Sequence, residues 1–207
     1  MSDRHVRDAI VDAARSLFNR HLTHGSTGNL SIRLGDQILV TPTGSSLGTV
    51  TAADLSTIGL DGSHLAGPKP SKEAFLHAAT LRARPSANAV VHTHSTYAAA
   101  VSCLDGLDPD NALPPLTAYF AMRVGRLPLL PYHAPGDTSL EQLAEATARD
   151  THAMLLANHG PVVAAATLTA ALDAIEELEE TAKLFLLLSG HRTRPLTPEQ
   201  VQRLRPS

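Results

Sequence analysis

The sequence predicts an α/β fold in which a mixed or antiparallel sheet carries helices on both faces. Three observations lead there. Strand-type runs come in clusters joined by tight turns, not in the regular strand-helix-strand alternation of a doubly wound parallel sheet. Helical patterns occupy residues 5–22, 71–84 and 169–190, between those clusters. The 207 residues are 43% hydrophobic, enough to bury a core, and no repeat, linker or break in composition divides them. Residues 1–207 are therefore expected to form a single domain.

In residues 5–22, Val6, Ile10, Ala13, Ala14, Leu17 and Phe18 fall at helical spacing, with charge on the other face. Gly25 and Gly28 break that pattern and lead into a strand at 30–34. A second strand follows the turn at Gly35 and Asp36, so the two predict a hairpin. "TPTGSSLGTV" reads as a loop. Pro68 and Pro70 turn the chain into a helix with Ser71 as its expected N-cap, and Pro85 ends that helix. "NAVVHTH" reads as a strand through His94. The stretch "AYFAMRVGRLPLLPYHAPGD" is expected to be strand, loop and strand, and "SLEQLAEATARD" a short helix. "AMLLANHGPVVAAA" reads as two strands joined at Asn158, His159 and Gly160. The last long helix stops at Gly190, a suitable residue just past a helix end. Its run Glu176, Glu177, Glu179 and Glu180 is expected on a solvated face, and the tail is polar and basic.

Several function classes are disfavoured. The net charge of -3 offers no footprint for nucleic acid or an anionic membrane, and the lack of Trp offers no base-stacking platform. The one cysteine, Cys103, excludes an intrachain disulfide and is expected to be a buried, inert thiol. No segment has the form of a signal peptide, and "LFLLLSG" is too short to span a bilayer. A soluble, cytoplasmic protein with no nucleic-acid or membrane partner is expected.

The chemistry concentrates in histidine. His92 and His94 stand at i and i+2 of an expected strand, so both point to one face, about 7 Å apart along it. They can converge on one ion, or can equally be two hydrogen-bonded core histidines. His159 sits in a polar turn inside a hydrophobic strand pair, either as a plain turn residue or at a site built on a strand end. Glu73, near a helix start, can complement the helix dipole, ligate a metal or act as a base. His77, four residues on, reads as a core histidine or one that supports the ligands. His5, His21, His64, His133, His152 and His191 have no partner spacing, and His24 is kept as a candidate for the loop it occupies.

Three further segments, "STGNLS", "TPTGSS" and "PSKE", combine glycine, hydroxyls and backbone donors that suit a phosphate. Each alone is an ordinary turn. No Walker or G-x-G-x-x-G pattern indicates a nucleotide.

Taken in order, "GNLS", "TPTG", "PSKE", "HTHS" and "NHG" resemble the class II aldolase/adducin family, over about residues 5 to 190. The resemblance implies a three-layer α/β/α domain with a mostly antiparallel central sheet, a homotetramer, and one divalent metal per subunit, Zn2+ first, with Mn2+ or Co2+ as alternatives. It implies His92, His94 and His159 as metal ligands, and Glu73 as acid/base and, in some states, a ligand. Gly28, Asn29, Thr43, Gly44, Ser71 and Lys72 would hold a substrate phosphate. Aldolases of the family typically read Pro-Ser-Ser-Glu where this chain has Pro-Ser-Lys-Glu. The longer context resembles the branch that decarboxylates 3-oxo-tetronate 4-phosphate, a small phosphorylated sugar acid. That branch implies a tyrosine proton donor, matched by Tyr119 with Phe120 in the adjacent register. Lys72 is then expected to add positive charge near the substrate phosphate or carboxylate, or to be an exposed lysine at a helix start. A sugar-phosphate aldolase or 4-epimerase, and a non-catalytic adducin-like module, are the alternatives.

Overall fold

The computed structural model describes residues 3–204. Its strands are β1 (Asn29–Leu34), β2 (Gln37–Val40), β3 (Ser56–Gly59), β4 (His64–Ala66), β5 (Ala89–His92), β6 (Leu129–Leu130), β7 (Ala153–Leu156) and β8 (Gly160–Ala165). They form one sheet in the order β4-β3-β2-β1-β5-β8-β7-β6. Every neighbouring pair is antiparallel except β6 with β7. The helices are α1 (Asp3–Asn19), α2 (Ala74–Ala83), α3 (Thr96–Ser102), α4 (Ala118–Arg123), α5 (Glu141–Asp150), α6 (Leu168–Leu187) and α7 (Pro198–Arg203).

Strand alternation creates the layers. Ala89 and Val91 of β5, Ala153 and Leu155 of β7 and Val163 of β8 pack into one core with α1, α3, α4 and α6. Val90, Met154, Leu156, Val162 and Ala164, one residue out of phase, pack into a second core with α2 and α5. The sheet is thus buried on both faces, which is why its central strands read as continuous apolar runs. The result is the expected α/β/α arrangement with a mostly antiparallel sheet. By the same alternation His92 shares the face of Val90, toward α2.

Several local expectations are corrected. Residues 118–123 are helical: the Thr117 hydroxyl caps α4 by accepting from the Phe120 amide at 3.0 Å. Only Leu129 and Leu130 of the following stretch are strand. Glu73, not Ser71, occupies the N-cap of α2, and the Ser71 hydroxyl instead accepts from the Glu73 amide at 3.3 Å. β5 ends at His92, because the next residues turn into the Ser95 N-cap of α3. Strands β3 and β4 and helix α7 add elements beyond those expected. Cys103 is exposed, since it lies just past the end of α3 and not inside it.

Glu179 also departs from expectation. It is 6% exposed, and its two carboxylate oxygens accept the backbone N–H groups of Tyr97 (2.9 Å) and Ala98 (2.8 Å). These amides open α3, so Glu179 satisfies donors that the helix itself leaves unpaired and ties α6 to the chain just after His94. Of its neighbours in the run only Glu180 is exposed; Glu176 and Glu177 are half-buried, Glu176 paired with Arg20 and Glu177 accepting from the Thr117 hydroxyl at 3.0 Å. Glu179→Leu should cost about 2–3 kcal/mol, because it strands the buried Ala98 amide and the partly buried Tyr97 amide. Urea denaturation measures this; a loss within the error of the method would contradict the account.

Candidate metal centre

The centre lies where β5 ends and β8 begins. Gly160 to Ala165 runs antiparallel to β5, so His92 lies opposite Val162, while on its other side it lies opposite Asn29 of β1. The Pro161 carbonyl is 2.9 Å from Nδ1 of His92. A carbonyl only accepts, so Nδ1 carries the proton and the Nε2 lone pair is left free.

That lone pair meets two others. Nε2 of His94 is 3.0 Å from Nε2 of His92 and 3.0 Å from Nε2 of His159. The rings stand edge to face, with centroids 4.5–4.9 Å apart. His159 is delivered by the turn between β7 and β8. There Asn158 takes a positive φ of 55°, and the Ser102 carbonyl and hydroxyl accept the amides of Asn158 (3.0 Å) and His159 (3.1 Å). Gly160 is required by closeness: a Cβ there would lie 2.3 Å from the Thr93 carbonyl.

Glu73 completes the set. Its carboxylate lies 3.1 Å from Nε2 of His159 and 3.4 Å from Nε2 of His92. One donor atom from each of the four residues falls within 4.8 Å of the others.

The protonation states suit ligation. Burial lowers the pKa of His92 despite the opposing Glu73 charge. Burial, with His92 and His159 beside it, lowers His94 to about 3. Burial opposes the Glu73 charge, but His92, His159 and a hydrogen bond from Asn29 outweigh it and hold the carboxyl well below its usual range. Three Nε2 atoms this close cannot all be satisfied by donating to one another, and a carboxylate lies against them. A shared divalent cation resolves the arrangement, and three nitrogens with one carboxylate oxygen suit zinc or a similar ion. The residues therefore fit the metal that the sequence resemblance implied.

A cleft of about 200 Å3 opens beside Glu73 and His94, and Gly28, Asn29, Thr43, Gly44, Ser71 and Lys72 all line it. Backbone bonds hold its loops together: the Thr43 amide donates to the Lys69 carbonyl and the Ser71 amide to the Thr41 carbonyl. Gly28 has φ of +78°, and a Cβ there would press on the Thr23 side chain at 2.8 Å and the His92 carbonyl at 3.0 Å. Ser26, Thr27 and Pro135 also line the cleft. The first two were legible as hydroxyls in "STGNLS"; Pro135 carried no signal. Larger grooves of about 400 and 570 Å3 lie elsewhere and include none of the four donors.

Two residues are placed differently from expectation. The Asn29 amide donates to Oε2 of Glu73 at 2.7 Å and to the Ser71 hydroxyl at 3.0 Å, so it serves Glu73 as well as the cleft. Tyr119 is 60% exposed on α4, beneath the Arg123 guanidinium, and does not line the cleft of its own chain.

Fold and donor set together define a class II aldolase-like protein. The model of the Class II Aldolase and Adducin N-terminal domain matches residues 8–186, and the chain belongs to that family. It is 47% identical over 205 residues to the 3-oxo-tetronate 4-phosphate decarboxylase of Haemophilus influenzae, covering 99% of this chain and 98% of that one. It is 36% identical over 177 residues to the L-fuculose phosphate aldolase of Methanocaldococcus jannaschii, covering 86% and 93%. The crystal structure of YgbL from Klebsiella pneumoniae superposes with a TM-score of 0.96 at 45% identity, over 99% of this chain and 100% of that one.

His77 gives the site a pH signature. Burial, with the nearby His92, lowers its pKa from 6.5 to about 3. Between these values the unfolded chain takes up a proton that the folded chain refuses. Stability should therefore fall as pH drops from 6.5 toward 3, by about 1.4 kcal/mol per pH unit for this ring. In metal-free protein, chemical denaturation between pH 5.5 and 4 should show a slope shallower by about one proton in His77→Gln. Equal slopes would contradict the assignment.

Proposed function

We propose that this chain is a divalent-metal-dependent carboxy-lyase that converts 3-oxo-tetronate 4-phosphate to dihydroxyacetone phosphate and CO2, in four-carbon sugar-acid catabolism. The observation that carries the reading is the near-full-length identity to a decarboxylase of that substrate, on a chain that keeps all four donors.

The substrate is a 2-hydroxy-3-oxo acid. Breaking the bond between carbons 1 and 2 releases CO2 and leaves its electron pair as an enediolate across carbons 2 and 3. Glu73, His92, His94 and His159 would hold one ion, Zn2+ in this reading with Mn2+ or Co2+ as alternatives, and that ion would stabilise the negative charge as a Lewis acid. Gly28, Asn29, Thr43, Gly44, Ser71 and Lys72 would anchor the phosphate. Lys72, exposed at the cleft beside Ser71, adds a positive charge toward the phosphate or the substrate carboxylate. Glu73 belongs to the donor set and also lines the cleft, so once released from the ion and protonated from solvent it would deliver the proton that carbon 2 takes up. Tyr119 is the other proposed donor. Because it stands outside its own cleft, a second copy would have to present it, as a homotetramer allows. The cytoplasm is the proposed location; among the described residues, no helix is long and apolar enough to cross a membrane.

A sugar-phosphate aldolase or 4-epimerase is the second reading, favoured by the identity to the fuculose phosphate aldolase. Expelling an aldehyde gives the same enediolate, so the donor set alone does not separate the two. Metal-loaded protein should release CO2 and dihydroxyacetone phosphate in equal amounts from the oxo acid phosphate. It should leave L-fuculose 1-phosphate and ribulose 5-phosphate essentially unchanged. Turnover of those sugars without CO2 release would replace the decarboxylase by an aldolase or epimerase. Lys72→Ser should raise KM for the oxo acid phosphate; an unchanged KM would remove Lys72 from substrate binding.

A further inference from the structure

We propose that His77 is a positioning residue for the reaction: acting through Asn29, it fixes the orientation in which Glu73 works. The inference rests on Glu73 serving the proposed decarboxylation. His77 is fully buried in α2 and does not line the cleft, so it has no direct route to substrate.

The protons along this line of contacts can be assigned from chemistry alone. Glu73 is a carboxylate and only accepts, so the Asn29 group facing Oε2 at 2.7 Å is its amide nitrogen. The Asn29 oxygen therefore points the other way, where it meets Nε2 of His77. An amide oxygen only accepts, so Nε2 of His77 carries the proton. Nδ1 is then the acceptor, and the Ser31 hydroxyl, 2.7 Å away, donates to it. The result is a single ordered series of donations: Ser31 to His77, His77 to Asn29, and Asn29 to Glu73. The second amide proton of Asn29 goes to the Ser71 hydroxyl at 3.0 Å, which links the same series to the cleft.

Each member has one state in which all bonds are made. Reversing the Asn29 amide would set its oxygen against the Glu73 carboxylate and its nitrogen against a ring N–H. The acceptor-only Glu73 carboxylate sets which way the amide points, and His77 holds it there by donating to the Asn29 oxygen. An apolar residue at 77 would fill the same core beside Leu76 and Ala78 but leave the Asn29 oxygen without its donor. Glu73 would then lose a fixed partner on one of its two oxygens, although no group that touches substrate had been altered.

The test compares wild type, His77→Leu and His77→Gln as full-length, metal-loaded protein, with kcat, KM, bound metal and Tm all measured. Glutamine can place an amide N–H near the position of Nε2. We expect His77→Leu to lose about 10- to 100-fold in kcat, with KM and bound metal retained. His77→Gln should recover most of that loss. Equal impairment of both variants, or impairment of neither, would overturn the proposal. A readout independent of activity is 15N NMR of histidine-labelled, metal-free wild type. There the His77 ring should be protonated at Nε2 and bare at Nδ1. The opposite tautomer would overturn the series even if His77→Leu failed to fold. If wild type released no CO2, the functional reading would fail, while the ring assignment would still decide whether this series exists.

Discussion

Much of the centre follows from one hydrogen bond, from Nδ1 of His92 to the Pro161 carbonyl. It spans the β5–β8 pairing and selects the tautomer that leaves Nε2 bare. Pro161 follows directly on the turn that carries His159, so the same contact sets the distance between two of the three imidazoles. The third arrives because the chain leaves the sheet immediately after His92, with Glu179 holding the first amides of α3. The sheet register, the turn and the helix start are therefore coupled. A displacement in any of them would move one Nε2 away from the other two.

Burial then decides the chemistry. It suppresses protonation of His92 and His94 while the surrounding donors keep Glu73 charged. Neutral imidazoles and an anionic carboxylate are the states that ligate a cation. The same carboxylate borders an open cleft whose loops carry glycine, hydroxyls and a lysine. In the proposed reaction such a site would offer an electrostatic sink for charge developing on substrate, an anchor for a distant phosphate, and a proton carrier between them. That combination suits any reaction passing through an enediolate. The choice between losing CO2 and losing an aldehyde is made by the leaving group, and the choice made here rests on similarity over the whole chain.

The layered fold was largely legible because its signals are local. Apolar runs bounded by turn residues mark the central strands, and the Gly35 and Gly160 turns mark their connections. The four donors were legible by type and by the order of their motifs. Their geometry was not, because His94 reaches the cluster by leaving the strand that alternation assigned to it. Glu179 was hidden inside an acidic run; only the fold shows that its partners lie 81 and 82 residues away. Helix α4 was masked by the prolines around it, although Thr117 is a good cap. β3 and β4 are short, and β4 is exposed along its length, so neither carries a strong period. The role of Asn29 depends on which way an amide points, a property set by Ser71, Glu73 and His77, 42 to 48 residues further along the chain.

The most direct measurement is the location of the ion itself, by anomalous X-ray scattering from crystals of protein loaded with zinc, manganese or cobalt. The account predicts one ion per chain, surrounded by Glu73, His92, His94 and His159. An ion held by other residues, or no ion at this place after loading with all three metals, would contradict it.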